Sequence, residues 1–159
     1  KFFNAEYDIG RVYMALNIPD SAIIAFQEAA KIDSTYPNTQ FFLADILFHR
    51  GKFKEAIPYL KFTVAKNPYD YAGYEKLAFI YFSLKEYEKS ISINKQAIQN
   101  IPSLADPYIN IGRTFISLKQ TDSAGYYLLL GKELSRKNTT SEKLLNQLDE
   151  FQTTSKNNH

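Results

Sequence analysis

Apolar residues recur along the chain at the three- and four-residue spacings of helices that bury one face. The pattern itself repeats, because the segment 8–16 resembles the segment 110–118, three steps of 34 residues later. The same steps align large apolar residues at Ile9, Leu43, Leu77 and Ile111. They align small residues at Gly10, Ala44, Ala78 and Gly112. The sequence therefore predicts four repeats in one unbroken register, each built from two amphipathic helices.

The predicted repeats span residues 3–36, 37–70, 71–104 and 105–138. Small residues recur in the second helix of each repeat as well, at Ala22, Ala56, Ser90 and Ala124. Facing small residues let two helices approach closely, and one helical hairpin cannot bury its apolar face alone. The repeats are therefore expected to stack on one another.

These positions resemble the tetratricopeptide repeat, whose pattern has a large residue, Leu-Gly and Tyr, followed by Ala, Phe, Ala and a closing Pro. The third repeat carries this pattern at Tyr74, Leu77, Ala78, Tyr81, Ser90, Ala97 and Pro102. The resemblance implies an all-α fold, a right-handed α-solenoid of four antiparallel helix pairs. Ser34 and Arg136 replace the closing Pro in the first and last repeats, and Asn94 occupies the position of Phe26, Leu60 and Leu128. A polar side chain at that position should find hydrogen-bond partners or lie in a looser seam, and we expect Asn94 to lie near an exposed edge.

The C-terminal segment predicts one more helix. Thr139 and Glu142 have the spacing of a capping box, and an apolar stripe follows at Leu144, Leu145, Leu148 and Phe151. We interpret residues 139–152 as a capping helix that closes the stack, and 153–159 as a disordered tail. A fifth repeat cut short is the alternative.

Composition and charge exclude several classes of protein. Nineteen Lys and Arg against 17 Asp and Glu leave a net charge of +2, which is too balanced for an electrostatic nucleic-acid binder. No apolar run is long enough for this segment to insert into a membrane. Because the chain starts at Lys1 without Met, we interpret it as a piece of a longer protein.

Catalytic chemistry has one candidate pair. Asp45 and His49 lie four residues apart on one helical face, where they could bind a metal or exchange protons. A third ligand and a nucleophile at fixed spacing are missing, and no phosphate-binding loop or zinc-protease motif occurs. We therefore predict that the chain is not an enzyme and uses no catalytic residue, metal or cofactor.

The resemblance implies a concave groove, lined by the first helix of each repeat, that binds an extended peptide or a partner helix. The groove residues it implies are Tyr7, Arg11, Met14, Phe41, Asp45, Phe48, His49, Phe79, Phe82, Arg113 and Ile116.

The aromatic residues are unusually frequent, with 12 Tyr and 12 Phe and no Trp. Four of them, Phe41, Phe48, Phe79 and Phe82, fall outside the main packing positions and are expected to cluster on the inner face. An exposed apolar cluster marks a binding surface, although a tightly wound stack or the terminal helix could instead bury it. The predicted function is a non-catalytic protein-interaction module for an unidentified protein or peptide. The alternative is a structural or self-associating sensor or spacer domain of a larger regulatory or envelope protein, as a homo-oligomer.

Overall fold

The computed structural model describes residues 3–135 and, beyond them, Gln147. Residues 3–135 form eight helices and no strand, so the all-α prediction is confirmed for this part of the chain. The helices are α1 (Phe3–Ala15), α2 (Pro19–Ile32), α3 (Pro37–His49), α4 (Phe53–Lys66), α5 (Tyr71–Ser83), α6 (Tyr87–Asn100), α7 (Asp106–Ser117) and α8 (Thr121–Leu134). Apart from Gln147, the predicted capping helix 139–152 and tail 153–159 lie outside the described residues. None of the described helices is both long and apolar enough to cross a bilayer.

Consecutive helices pack in pairs joined by short turns. α1 packs on α2, α3 on α4 and α7 on α8, and in α6 the Ser90 hydroxyl donates a 2.9 Å hydrogen bond to the Ala78 carbonyl of α5. Short connections between packed helices make each pair antiparallel. Eight helices fit the four predicted repeats, whose boundaries remain predictions.

The turn inside each pair has the same backbone at 34-residue intervals. Asn17, Gly51, Lys85 and Lys119 all adopt left-handed φ values, between 56° and 69°. The residue after each one donates its N–H back into the first helix, as Gln120 does to the Phe115 carbonyl at 2.9 Å. This hydrogen bond and the left-handed residue form a Schellman motif, which ends the helix and reverses the chain.

The chain divides into two compact units, and the N-terminal unit comprises residues 1–77. Its described part holds α1 to α4 and the start of α5. Here α2 packs on α3, and Ala22 and Phe26 form a buried cluster with Leu43 and Ile46. Phe26 fits because Gly10 has no side chain, since a Cβ there would lie 2.6 Å from the ring.

The C-terminal unit comprises residues 78–159. Its described part holds the end of α5 and α6 to α8, with α7 packed on both α6 and α8. Leu128 of α8 is fully buried against Gly112 of α7. Asn94 of α6 is also fully buried, so the expectation of an exposed edge was wrong. Its position faces the core in the same way as Phe26 and Leu128, and the register determined its burial more strongly than its polarity.

Candidate functional site

The side chain of Lys76 organises one group of the predicted residues in the N-terminal unit. Its Nζ lies 2.7 Å from Asp45 Oδ1, 4.7 Å from the centre of the Phe48 ring and 5.9 Å from that of Phe41. The Lys76 and Asp45 side chains are only 19% and 17% exposed. Because little water screens this ion pair and two aromatic rings flank the ammonium, its geometry is better fixed than that of a surface pair. We call Phe41, Asp45, Phe48 and Lys76 the Lys76 cluster.

His49 borders the Lys76 cluster on the solvent side. Its Nε2 lies 3.4 Å from the same Asp45 oxygen, and its side chain is 69% exposed. The His49 ring meets the Phe48 ring edge-on, with centres 5.6 Å apart. The described residues contain no group of three or more acidic or His side chains able to hold a metal. The Asp45 carboxylate contacts both the Lys76 ammonium and the His49 imidazole.

A cavity of about 300 Å³ opens beside Asp45 and His49. Its walls come from the end of α1, the turn into α2 and the end of α3. They are formed by Met14, Asn17, Pro19, Asp45, Ile46, His49 and Arg50. Its volume is at the lower end of ligand-binding pockets, and suits one or two side chains of a partner.

The other predicted residues of the N-terminal unit are Tyr7 and Arg11. Tyr7 is half-buried, and its ring contacts Phe26 and Phe42 at 5.9 and 6.0 Å. Burial is the largest of the effects that raise the pKa of the Tyr7 phenol. Arg11 is exposed, with one guanidinium nitrogen 3.8 Å from the Asp8 carboxylate. Tyr7 therefore contributes to packing, whereas Arg11 is accessible to a partner.

Four predicted residues lie in the C-terminal unit. Phe79 is 49% exposed, and Phe82 is half-buried with its ring 5.6 Å from that of Tyr87. Arg113 is exposed and Ile116 half-buried on α7. The gathering of four Phe residues into one inner cluster remains a prediction.

Lys76 was missed as a candidate, although the sequence holds a signal for it. Asp45 and Lys76 are 31 residues apart, which is one repeat less one three-residue helical step. Where the first helices of two adjacent repeats lie side by side, residues with this spacing occupy positions about one helical turn apart along the two helices. Opposite charges at that spacing predict an ion pair between neighbouring repeats.

Comparison with known proteins identifies one repeat and the fold. Residues 6–36 match the family model of the tetratricopeptide repeat. A crystal structure of MamA superposes with a TM-score of 0.84 over 93% of this chain and 81% of MamA, at 22% identity. The chain therefore contains a tetratricopeptide repeat. The family match covers one repeat, and the number of repeats rests on the sequence register and the eight helices.

A second solved structure has the same fold, and one plant protein matches in sequence. YrrB, described as a tetratricopeptide repeat protein with an unusual peptide-binding site, superposes with a TM-score of 0.79 over 91% of this chain and 74% of YrrB, at 19% identity. In sequence, 88 residues are 30% identical to a probable UDP-N-acetylglucosamine–peptide N-acetylglucosaminyltransferase of Arabidopsis thaliana. That match covers 55% of this chain but only 9% of the plant protein.

Proposed function

We propose that this chain is a non-catalytic interaction module that binds a peptide or helix of a partner protein. The observation that carries the proposal is a convergence at one place in the N-terminal unit. Met14, Asp45 and His49, three of the residues predicted to bind, line the same cavity beside the Lys76 cluster. The peptide-binding site described for YrrB, which has the same fold, supports this class of function.

The chemistry of the cavity suggests what it would bind. Met14, Ile46 and Pro19 offer apolar walls for one apolar side chain of the partner. The imidazole of His49 lies at the exposed side, where it can form a hydrogen bond with the partner backbone. Such a site, an apolar pocket with a few polar groups at its edge, takes an anchor residue and orients the chain that carries it.

The C-terminal unit would add contacts of its own. Phe79 and Phe82 lie three residues apart on α5, so they share a face of that helix. Arg113, exposed on α7, is a candidate partner for a carboxylate. We propose Phe79, Phe82, Arg113 and Ile116 as contact residues for the same class of partner.

A catalytic role for Asp45 and His49 is disfavoured by the surroundings of Asp45. Its carboxylate lies 2.7 Å from the Lys76 ammonium, so the oxygen nearest His49 is already engaged in an ion pair. Tetratricopeptide repeats generally act as non-catalytic scaffolds, and we propose the same for this chain.

The proposal can be tested by selecting peptides from a displayed random library on the full chain. The dissociation constant of the best peptide is then measured by fluorescence anisotropy for wild type, His49→Ala, Met14→Glu and Phe48→Glu. We expect each substitution to weaken binding by about tenfold or more, because His49 and Met14 line the cavity and Phe48 belongs to the Lys76 cluster beside it.

Ile24→Glu is the matched control, since Ile24 is 62% exposed on α2 and does not line the cavity. It should leave the dissociation constant unchanged. His49→Ala keeps the test meaningful if a core-facing variant misfolds, because the His49 side chain is mostly exposed. Failure to select any peptide, or equal affinity of wild type and the three site variants, would refute the proposal.

A further inference from the structure

The first helix presents an apolar face to solvent. Ile9 and Val12 of α1 are 44% and 56% exposed, and Leu16, directly after the helix, is 61% exposed. Ala5 of α1 is exposed as well. Spacings of three and four residues place all of them on one side of the helix. We call these four residues the α1 stripe.

The same positions are buried in later first helices. Counting 34 and 102 residues on from Ala5, Ile9 and Val12 leads to six residues, all of them buried. They are Thr39, Leu43 and Ile46 in α3, and Pro107, Ile111 and Thr114 in α7. The exposure of Ala5, Ile9 and Val12 is therefore not a property of their positions in the repeat.

A second helix covers this face wherever it is buried in the N-terminal unit. α2 packs on α3, where Ala22 and Phe26 share a cluster with Leu43 and Ile46. At the position of Ala5 in the third repeat, Gly73 lies so close to α4 that a Cβ would meet Val64 at 3.0 Å. In the C-terminal unit, the second helix of the third repeat, α6, likewise packs on the first helix of the fourth, α7. The α1 stripe is thus one side of an interface that the fold uses elsewhere.

We propose that the α1 stripe binds an amphipathic helix that lies outside residues 1–159 and resembles the second helix of a tetratricopeptide repeat. The covering helices indicate its chemistry. They place small or β-branched residues beside the next repeat. Ala22 of α2 shares a buried cluster with Leu43 and Ile46, and Thr63 and Val64 of α4 lie within 3.4 Å of a Cβ placed at Gly73. Small residues allow close approach, and Ile9, Val12 and Leu16 then fill the spaces between them.

A second copy of this chain fits the stripe less well. Its α8 would place Lys132 where the other second helices carry Ala30, Val64 and Ile98, and would bury an ammonium against apolar side chains. Its α1 would offer bulky Ile, Val and Leu side chains in place of small ones. Neither α8 nor α1 of a second copy is therefore a good occupant of the α1 stripe.

The test adds such a helix to the full chain. A copy of residues 19–36 replaces Lys1 and Phe2, so that the copied helix precedes Phe3 as α2 precedes Pro37. Thermal unfolding is followed by circular dichroism for the original and the extended chain, each with and without Val12→Glu. We expect the extension to raise Tm by about 4 °C or more, because it buries the α1 stripe.

Val12→Glu should shift Tm by less than about 2 °C in the original chain and lower it by about 4 °C or more in the extended one. Ile24→Glu, an exposed position on α2, should change neither chain by more than about 2 °C. The proposal is overturned if the extension leaves Tm unchanged and Val12→Glu acts alike in both. It is also overturned if sedimentation shows a dimer of the original chain that Val12→Glu abolishes, because the occupant is then a second copy.

Discussion

At the scale of single residues, Asn94 is the clearest conflict between chemistry and position. It is fully buried, and its amide donates a 3.0 Å hydrogen bond to the Ser90 carbonyl. Its Oδ1 finds no hydrogen-bond partner among the described residues. A buried polar atom without a partner costs about 1–3 kcal/mol. Asn94 is thus a local weakness in the third repeat.

We expect Asn94→Leu to raise the free energy of unfolding by about 1–2 kcal/mol, since it removes the unpaired oxygen and adds apolar volume. Phe26, Leu60 and Leu128 show that large apolar residues fit the equivalent positions. Urea unfolding measures the change. Asn100→Leu, at a partly exposed position of the same helix, is the control and should be nearly neutral. A loss of stability in Asn94→Leu would mean that the Asn94 amide makes hydrogen bonds beyond the one to the Ser90 carbonyl.

Lys119 carries a different local cost, in the backbone. Its φ of 58° is left-handed, a region that disfavours residues with a side chain and that Gly enters freely. Gly51 occupies the equivalent turn in the second repeat, with open space around its Cα. We expect Lys119→Gly to stabilise the chain by about 0.5–1 kcal/mol, and Gly51→Lys to destabilise it by a similar amount. Chemical denaturation of both variants tests the pair, and shifts of the same sign would contradict this explanation.

At the scale of helices, two pairs have a glycine of the first helix beneath a large residue of the second, Gly10 beneath Phe26 and Gly112 beneath Leu128. In the fourth repeat, a Cβ at Gly112 would come within 2.6 Å of Leu128 Cγ and 3.3 Å of the Ala124 carbonyl oxygen. The equivalent positions of the second and third repeats carry Ala44 and Ala78. Two of the four helix pairs are therefore closer than a methyl group allows.

We expect Gly112→Ala to lower the free energy of unfolding by about 1–3 kcal/mol, because overpacking outweighs the higher helix propensity of Ala. Urea unfolding of Gly112→Ala, Leu128→Ala and the double variant forms a thermodynamic cycle. The double variant should lose less stability than the two single losses added together, since the collision needs both side chains. Additive losses would show that another contact limits the approach of the two helices.

The candidate site also belongs to the scale of helices, because its partners come from different elements. The sequence placed Asp45 and His49 on one helical face, and in the structure His49 Nε2 lies 3.4 Å from Asp45 Oδ1. It could not rank Lys76, since the ion pair depends on how far α3 and α5 are offset. Tyr7 is predicted as a groove residue, and its ring also contacts Phe26 and Phe42, which the repeat pattern does not indicate. Such offsets and contacts depend on all packed side chains together.

At the scale of the whole molecule, a stack of repeats makes stability local. In repeat proteins in general, each repeat contacts only its neighbours, so a core defect should weaken nearby helices more than distant ones. Phe26→Ala removes a fully buried ring from the N-terminal unit, and Leu128→Ala removes a fully buried side chain from the C-terminal unit. We expect hydrogen exchange to accelerate mainly in α1–α3 for the first variant, and mainly in α7 and α8 for the second. Equal acceleration along the chain in both would indicate a single cooperative unit.

The sequence by itself determined the helices, their pairing and the all-α fold. Spacings of three and four residues define a helical face, and a 34-residue register repeats the same small and large residues wherever two helices must meet. The tertiary structure decided which residues the packing buries and which it leaves exposed. Asn94 is buried because its neighbours enclose the position whatever residue stands there. The α1 stripe is exposed although its sequence matches the buried faces of later repeats, because burial depends on the presence of a neighbouring helix, which a local pattern does not record.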